Sequence, residues 1–432
     1  MSEEGFFDVL LAQLRDDLRD APAAARRHFT DVGRVERCGN IAELRALARR
    51  RVPGVVFDYV DGAAWDELTA ERNQADLRRI AVMPRVLTGT ASVDLSTTVL
   101  GCRVEVPLLG APTGMTGIVH RDGEIGVARA VHAAGSLYVL SSVGSCGPEE
   151  VGAHSPGPKW FQLYVSGDRG YARELIGRAH SAGYLALVVT VDVQRAGARE
   201  RDRRNGFTLP PRVTARSLAQ GLTCPRWSID FVRRPRFLSE AARRSRASIR
   251  DEPGSGKPTL TAMINSQFDP RLSWSDISWL QEEWPAPIVL KGVLRPQDAQ
   301  QAARLGIAGV IVSNHGGRQL DQAPSTIAAL PGVLEAVGSE IEVYVDGGIR
   351  RGVDVLKALA LGARACLSGR ALVYGLGAGG EAGARRAMGL LVDELRLAMT
   401  LAGCGSVREL DRSWLMSTPD SQPERSEQWS TS

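Results

Sequence analysis

The feature that most constrains this chain is a count of eight. Eight short apolar runs follow one another, at residues 106–111, 137–141, 159–165, 185–192, 287–292, 309–314, 342–347 and 365–369. Segments rich in Ala, Leu and Arg lie between most of them, such as 123–134 and 298–303. Strands alternating with helices predict βα units around a parallel sheet, and eight such units predict a (β/α)8 TIM barrel, an α/β fold. The hydrophobic fraction of 44% is enough for the core this requires.

The ends of the runs carry the functional signal. They close on Pro112-Thr113-Gly114, Ser141-Ser142, Gln162-Leu163-Tyr164, Thr190-Val191-Asp192, Lys291-Gly292, Ser313-Asn314-His315, Asp346-Gly347-Gly348 and Gly369-Arg370. A single polar strand end merely begins a loop. Polar, charged or glycine residues at all eight are expected where barrel enzymes build their sites, on the C-terminal face of the strands.

Three regions fall outside the barrel body at 41–416. Residues 1–40 are expected to be a charged helical extension and 417–432 a disordered polar tail. The third is the long loop region 193–285 after strand four, expected to be a lid or an interaction surface. Its part from Arg201 to Lys257 holds fourteen Lys/Arg against five Asp/Glu, a net of +9. It reads either as a solvated loop or as a surface for anionic membrane lipids. The whole chain carries only +4, which gives no support for a nucleic-acid partner. The six cysteines lack any metal-ligand spacing, so no metal site is expected, and they read as reduced thiols of a cytoplasmic protein. Neither a signal peptide nor a membrane-spanning segment is expected.

Individual residues point to a reaction. Asp346-Gly347-Gly348-Ile349-Arg350-Arg351-Gly352 and Gly369-Arg370, at the last two strand ends, offer open backbone N–H groups, a helix start and arginine clamps: a phosphate site. Lys291 closes a very apolar strand. It is snorkelling, meeting an anionic partner or forming a Schiff base. His315 is followed by Gly316, Gly317 and then Arg318. A base beside a carboxylate clamp is what removal of a proton from a 2-hydroxy acid requires. Asp192 either caps a helix or orients His315.

These motifs resemble those of the FMN-dependent α-hydroxy acid dehydrogenases and oxidases, the family of glycolate oxidase, mandelate dehydrogenase and L-lactate dehydrogenase. The resemblance runs from Ala42 to Leu415. It rests on Ser-Asn-His-Gly-Gly-Arg-Gln-Leu-Asp at 313–321, Asp-Gly-Gly-Ile-Arg-Arg-Gly at 346–352, Phe-Gln-Leu-Tyr at 161–164 and Thr-Val-Asp at 190–192. It implies FMN as cofactor, His315 as base with Asp192 as its partner, and Tyr164 facing the substrate hydroxyl. It implies Tyr59, Arg199 and Arg318 at the substrate carboxylate, and Lys291 beside the flavin edge that becomes negative on reduction. Flavin contacts are expected from Pro112, Thr113, Gly114, Ser141, Gln162, Thr190 and Ser313, and a ribityl and phosphate cradle from Asp346, Gly347, Gly348, Arg350, Gly369 and Arg370.

Within the family, 112–117, 145–150 and 268–274 look most like quinone-linked bacterial L-lactate dehydrogenases. This implies oxidation of L-lactate with electrons passed to quinone, and a peripheral place on the inner face of the cell membrane. A homotetramer is expected by family analogy, and no haem domain ahead of the barrel. The rivals are an oxygen-using oxidase of glycolate or mandelate type, with Gly114 leaving space for oxygen, and a flavin-dependent isomerase or non-catalytic flavin-binding membrane module. Two positions depart from the pattern: Val143 stands where glycolate oxidases have tryptophan, and Trp65 is unexpected in the run after Tyr59.

Overall fold

The structure, a computed structural model, describes residues 31–205, 221, 223–233 and 268–417. Eight parallel strands close into a barrel: β1 (Leu108–Gly110), β2 (Tyr138–Ser141), β3 (Lys159–Leu163), β4 (Leu187–Thr190), β5 (Ile288–Val293), β6 (Gly309–Val312), β7 (Glu342–Asp346) and β8 (Ala365–Ser368). Each expected run coincides with one of them, and all but one run contain their strand whole. Most runs are longer than their strand by a residue or more, because apolar residues continue past the last ladder pairing into the loop. The ladder at β4, for instance, covers 187–190 of the run 185–192. β5 instead reaches one residue beyond its run, to Val293.

The pleat of the strands sorts their side chains. Val139, Trp160, Val188, Val289, Ile311, Tyr344 and Leu367 point inward and form one buried cluster inside the barrel. Their neighbours, such as Leu140, Phe161, Val189, Leu290 and Val345, face the surrounding helices in a second cluster. Inside, the rings of Trp160 and Tyr344 meet edge to face, with centroids 5.4 Å apart. Such a pair adds about 1 kcal/mol to its area burial.

One element has no counterpart among the expected runs. Strands Thr97–Val99 and Cys102–Val104 form a hairpin that packs Val99 and Val104 into the interior cluster. Its two turn residues, Leu100 (φ 46°) and Gly101 (φ 75°), are both left-handed, as a tight twisted hairpin demands. The only β-rich signal is three residues long on each side, too short for a periodicity reading. A second small ladder pairs Ile80–Val82 with Leu415–Ser417, so the domain reaches one residue beyond 416. The expected N-terminal extension contains the helix Asp31–Glu36; its residues 1–30 lie outside the described ones, as do tail residues 418–432 and most of the basic stretch 201–257.

The helix Gly54–Asp61 brings Tyr59 to the barrel mouth, and its last residue anchors it. The Asp61 side chain is almost wholly buried. Its carboxylate accepts from Arg45 Nε (2.6 Å) and Nη2 (2.8 Å), Arg201 Nη1 (3.0 Å) and the Tyr374 hydroxyl (2.7 Å). Burial alone would raise its pKa, but the bonds to Arg45 and Tyr374 outweigh that and hold it at about 2. A depressed carboxyl stabilises the fold above its unfolded pKa, and that contribution is lost as pH falls through the folded value. The expected outcome for Asp61→Asn is a loss of about 2 kcal/mol at pH 7, shrinking to about half of that near pH 3. Urea midpoints of both proteins at the two pH values measure it.

Candidate active site

The alternation that fills the barrel continues past the core and sets its polar upper layer. Two residues beyond Val139, Trp160, Val188, Val289 and Tyr344 stand Ser141, Gln162, Thr190, Lys291 and Asp346. All five are buried. Ser141 donates to Gln162 Oε1 (2.8 Å), and Gln162 Nε2 donates to Thr190 Oγ1 (2.9 Å). Lys291 Nζ donates to Ser313 Oγ (2.8 Å) and lies 2.9 Å from Asp346 Oδ2. Burial would lower the Lys291 pKa, but Asp346 and Asp192 prevail and raise it, so the ammonium stays charged.

Above this layer a cavity opens at the C-terminal ends of the strands. Of the expected site residues, Tyr59, Pro112, Thr113, Gly114, Tyr164, Arg199, Lys291, His315, Arg318, Asp346, Gly347, Gly348, Arg350, Gly369 and Arg370 line it. Ser141, Gln162, Thr190 and Ser313 do not; they form the layer beneath. Asp192 lies behind His315 and lines a separate cavity between β4 and β5 with Asp269, Trp274 and Asp298. Val143 stands in the wall of the first cavity, whereas Trp65 does not and is half exposed. Val193, Ala196, Phe268 and Ser368 also belong to this wall, a place the sequence motifs do not assign them. Ser368, one residue before Gly369, is detectable as a polar strand end. The others sit in or after the long β4 loop, where no local pattern marks them.

His315 is held in three ways. Its backbone is left-handed (φ 57°), an arrangement costing of order 1 kcal/mol for a side chain of this kind. Ser313 Oγ accepts its N–H (3.1 Å). Asn314, paired with Asn73 through both amides (2.9 and 2.8 Å), caps the turn by accepting from Gly317 N (3.2 Å). The ring faces Asp192 with Nδ1, at 3.1 and 3.3 Å from the two carboxylate oxygens. Two acceptors require the hydrogen on Nδ1, which leaves the Nε2 lone pair toward the cavity. There the Tyr164 hydroxyl stands 3.2 Å away. Burial, then the charge on Asp192, pushes the Tyr164 phenol far up, so it remains a donor. Burial would raise the Asp192 carboxyl, but His315 and Lys291 bring it below its ordinary range.

The cavity gathers cations. Arg318 and Arg199 lie over the Tyr59 ring at 5.2 and 5.6 Å. Burial, followed by repulsion from Arg199, lowers the Arg318 pKa. Arg318 Nη1 donates to the carbonyls of Tyr59 and Gly62 (2.8 Å each). Arg370, expected at the phosphate, turns its guanidinium to backbone instead: Nε to Val60 O (3.1 Å), Nη1 to Gly316 O and Nη2 to Gly62 O (2.8 Å each). Its side chain therefore braces the helix bearing Tyr59 against the His315 turn. What remains for an anion at this corner is the N-terminus of helix Arg370–Ala402, with Gly347 and Gly348 in left-handed turns (φ 93° and 82°) and Arg350.

The lining fits FMN by a test of its own. Thr113 Oγ1, Asp346 Oδ1 and Ser368 Oγ are buried in this wall with no hydrogen-bond partner among the described residues. Unsatisfied groups of this kind are costly and call for a ligand of matching polarity. A flat polar heterocycle above a phosphate supplies both the partners and the anion.

Gly292 leaves the room in which the Asp192 side chain stands. Its backbone is left-handed (φ 109°), and a Cβ there would lie 2.6 Å from Asp192 Cβ and Cγ. Gly292→Ala is expected to keep its FMN absorbance yet lose at least about tenfold in kcat with little change in KM, because a displaced Asp192 no longer orients His315. Flavin content and steady-state kinetics on one preparation check this.

Comparison with known proteins agrees with this geometry. Residues 48–417 match the family described as FMN-dependent dehydrogenase. The L-lactate dehydrogenase of Caulobacter vibrioides (strain NA1000 / CB15N) is 44% identical over 373 residues, covering 86% of this chain and 96% of its own. That of Stenotrophomonas maltophilia (strain K279a) is 42% identical over 379 residues, covering 87% and 98%. Among solved structures, a monotopic membrane protein (S)-mandelate dehydrogenase superposes with a TM-score of 0.81 at 35% identity, covering 88% of this chain and all of that one. A mandelate oxidase reaches 0.72 at 35% identity, covering 88% and 99%. The chain belongs to the FMN-dependent dehydrogenases that act on 2-hydroxy acids, with FMN as their cofactor.

Proposed function

We propose that this enzyme oxidises L-lactate to its 2-keto acid and hands the electrons to a quinone. The observation that carries the reading is the Nε2 face of His315, held by Asp192 and opening on the same cavity as Tyr59, Arg199 and Arg318. The two guanidiniums and the Tyr59 hydroxyl hold the substrate carboxylate. His315 takes a proton at Nε2, and Asp192 stabilises the imidazolium that results. Tyr164 donates to the substrate hydroxyl oxygen. Bound FMN supplies the two-electron acceptor. Gly347, Gly348, Gly369, Arg350 and the helix N-terminus would hold its phosphate, and Lys291 would meet the negative charge that reduction leaves on its ring.

L-lactate is favoured by the lactate dehydrogenases at 42% and 44% identity. A second reading, an aromatic hydroxy acid such as mandelate, is favoured by the wall itself, where Val143, Val193 and Ala196 are small. Anaerobic mixing with L-lactate, glycolate and (S)-mandelate, read as loss of the oxidised flavin band, is expected to give the fastest bleaching with L-lactate. In His315→Gln the flavin stays bound and bleaching slows by about 10³-fold, the scale of a lost general base. Full-rate bleaching in that variant would overturn the base assignment, and rapid peroxide formation under air would replace quinone with oxygen.

Attachment to an anionic membrane surface through residues 201–257 belongs to the same proposal. It is supported by the net +9 of that stretch, by Ile229 and Val232 standing 50% and 78% exposed on helix Pro225–Arg233, and by the monotopic mandelate relative. Among the described residues, no helix is long and apolar enough to cross a membrane.

A further inference from the structure

A second cavity backs onto the first. The two share one buried wall residue, Val119, and the turn that carries it: Thr116 faces the cofactor cavity and Gly117 the other. Among the described residues, this second cavity is lined by Arg50, Arg51, His120, Arg121, Trp227 and Phe231, with a volume of about 390 Å³. The Trp227 and Phe231 rings stack, centroids 4.6 Å apart at 18°. Trp227 Nε1 donates to Ile118 O (2.8 Å), which fastens helix Pro225–Arg233 to the shared wall. The same helix exposes Ile229 and Val232, three residues apart on one face.

We infer that this cavity takes the head of a benzoquinone-type electron acceptor, whose apolar tail lies in the lipid met by the outward face of helix Pro225–Arg233. The inference rests on the proposed quinone-linked reading and places its second half-reaction. Each feature answers to one part of such a molecule. The aromatic pair offers a flat apolar face to a quinone ring. Arg50, Arg51 and Arg121, the last also paired with Asp230 (3.3 Å) on the cavity wall, stabilise the negative charge that grows on its oxygens as electrons arrive. Ile229 and Val232, exposed on the opposite face of the same helix, suit the lipid in which such a tail is held. A phospholipid headgroup would use the arginines but would have no use for a wall held in common with the cofactor cavity. In the step itself two electrons leave the reduced cofactor, which returns to its oxidised form, and the two quinone carbonyls become hydroxyls. Both protons come from solvent by way of His120, which sits 3.4 Å from Asp122, and are balanced by the two released on the other side of the wall, one from the reoxidised cofactor and one from His315.

The test uses the full-length, FMN-loaded protein and a photoactivatable azido-benzoquinone bearing a decyl chain. Peptide mapping is expected to find the label within 116–121 or 225–233. In His120→Gln/Arg121→Gln, labelling falls and the KM for decyl-benzoquinone rises, each by about tenfold, the equivalent of one lost charge-assisted contact. Anaerobic reduction by the hydroxy acid and reoxidation by a small soluble dye stay within about twofold of wild type, since neither uses this cavity. Label confined to other segments, or undiminished label in the double variant, overturns the inference. So does a variant that loses only its binding to phosphatidylglycerol vesicles, which would make the cavity a headgroup site. If no hydroxy acid bleaches the flavin, the functional reading fails instead, and the map of the label still reports on the cavity by itself.

Discussion

The pleat of a closed barrel is the constraint on which this molecule depends. Side chains alternate along each strand, and closure forbids any strand to slip without turning its whole inner set outward. The core residue Val289 and the charged Lys291 are therefore one decision, as are Tyr344 and Asp346. Lys291 is tolerable at full burial because the same alternation on β7 brings Asp346 to 2.9 Å and because Ser313 accepts a second hydrogen. An isolated ammonium there would cost several kcal/mol. The ion pair does little for stability in net terms; it puts a fixed positive charge under the cofactor cavity.

Around that fixed layer the loops are tied by arginine side chains bonded to backbone carbonyls. Arg370 and Arg318 together grip the carbonyls of Tyr59, Val60, Gly62 and Gly316, which ties the Tyr59 helix to the His315 turn. Asp61 fastens the same helix from its other side through Arg45, Arg201 and Tyr374. The left-handed backbone of His315 is sustained only within such a frame. Here stability and function meet in the same bonds: the contacts that close the barrel mouth also aim the Nε2 of His315.

Most of this is legible in the sequence, and the reason is periodicity. Eight apolar runs disclose the barrel, and at six of the eight run ends a residue lines the cavity at its mouth. Lys291 stands out because an ammonium at the end of Ile-Val-Leu has to reach water or meet a negative charge, and His315 because Arg318 follows it through two glycines. What stays hidden depends on contacts between distant segments. No local pattern says that the Arg370 guanidinium turns back onto carbonyls at 60–62 while its backbone keeps the helix start. None says that Asp192 stands behind the imidazole in a separate cavity, or that Phe268, at the end of the long loop, folds edge-on against Tyr164 with centroids 5.0 Å apart. The hairpin at 97–104 escapes a sequence reading because its strands are too short to show alternation.

The placement of Asp192 has an electrostatic logic. The cavity concentrates Arg199, Arg318 and Lys291, cations that attract an anion even though Asp202 pairs with Arg199 (3.0 Å) and Asp346 with Lys291 (2.9 Å). Under the proposed reading, a further carboxylate beside Arg318 would compete with that of the substrate. Set behind the imidazole, Asp192 acts on His315 through Nδ1 while the ring itself separates it from the substrate position. The imidazole can then become charged between a buried anion on one side and arginines on the other. Gly292 is what makes the arrangement fit, because a side chain at that point would occupy the space in which the carboxylate stands.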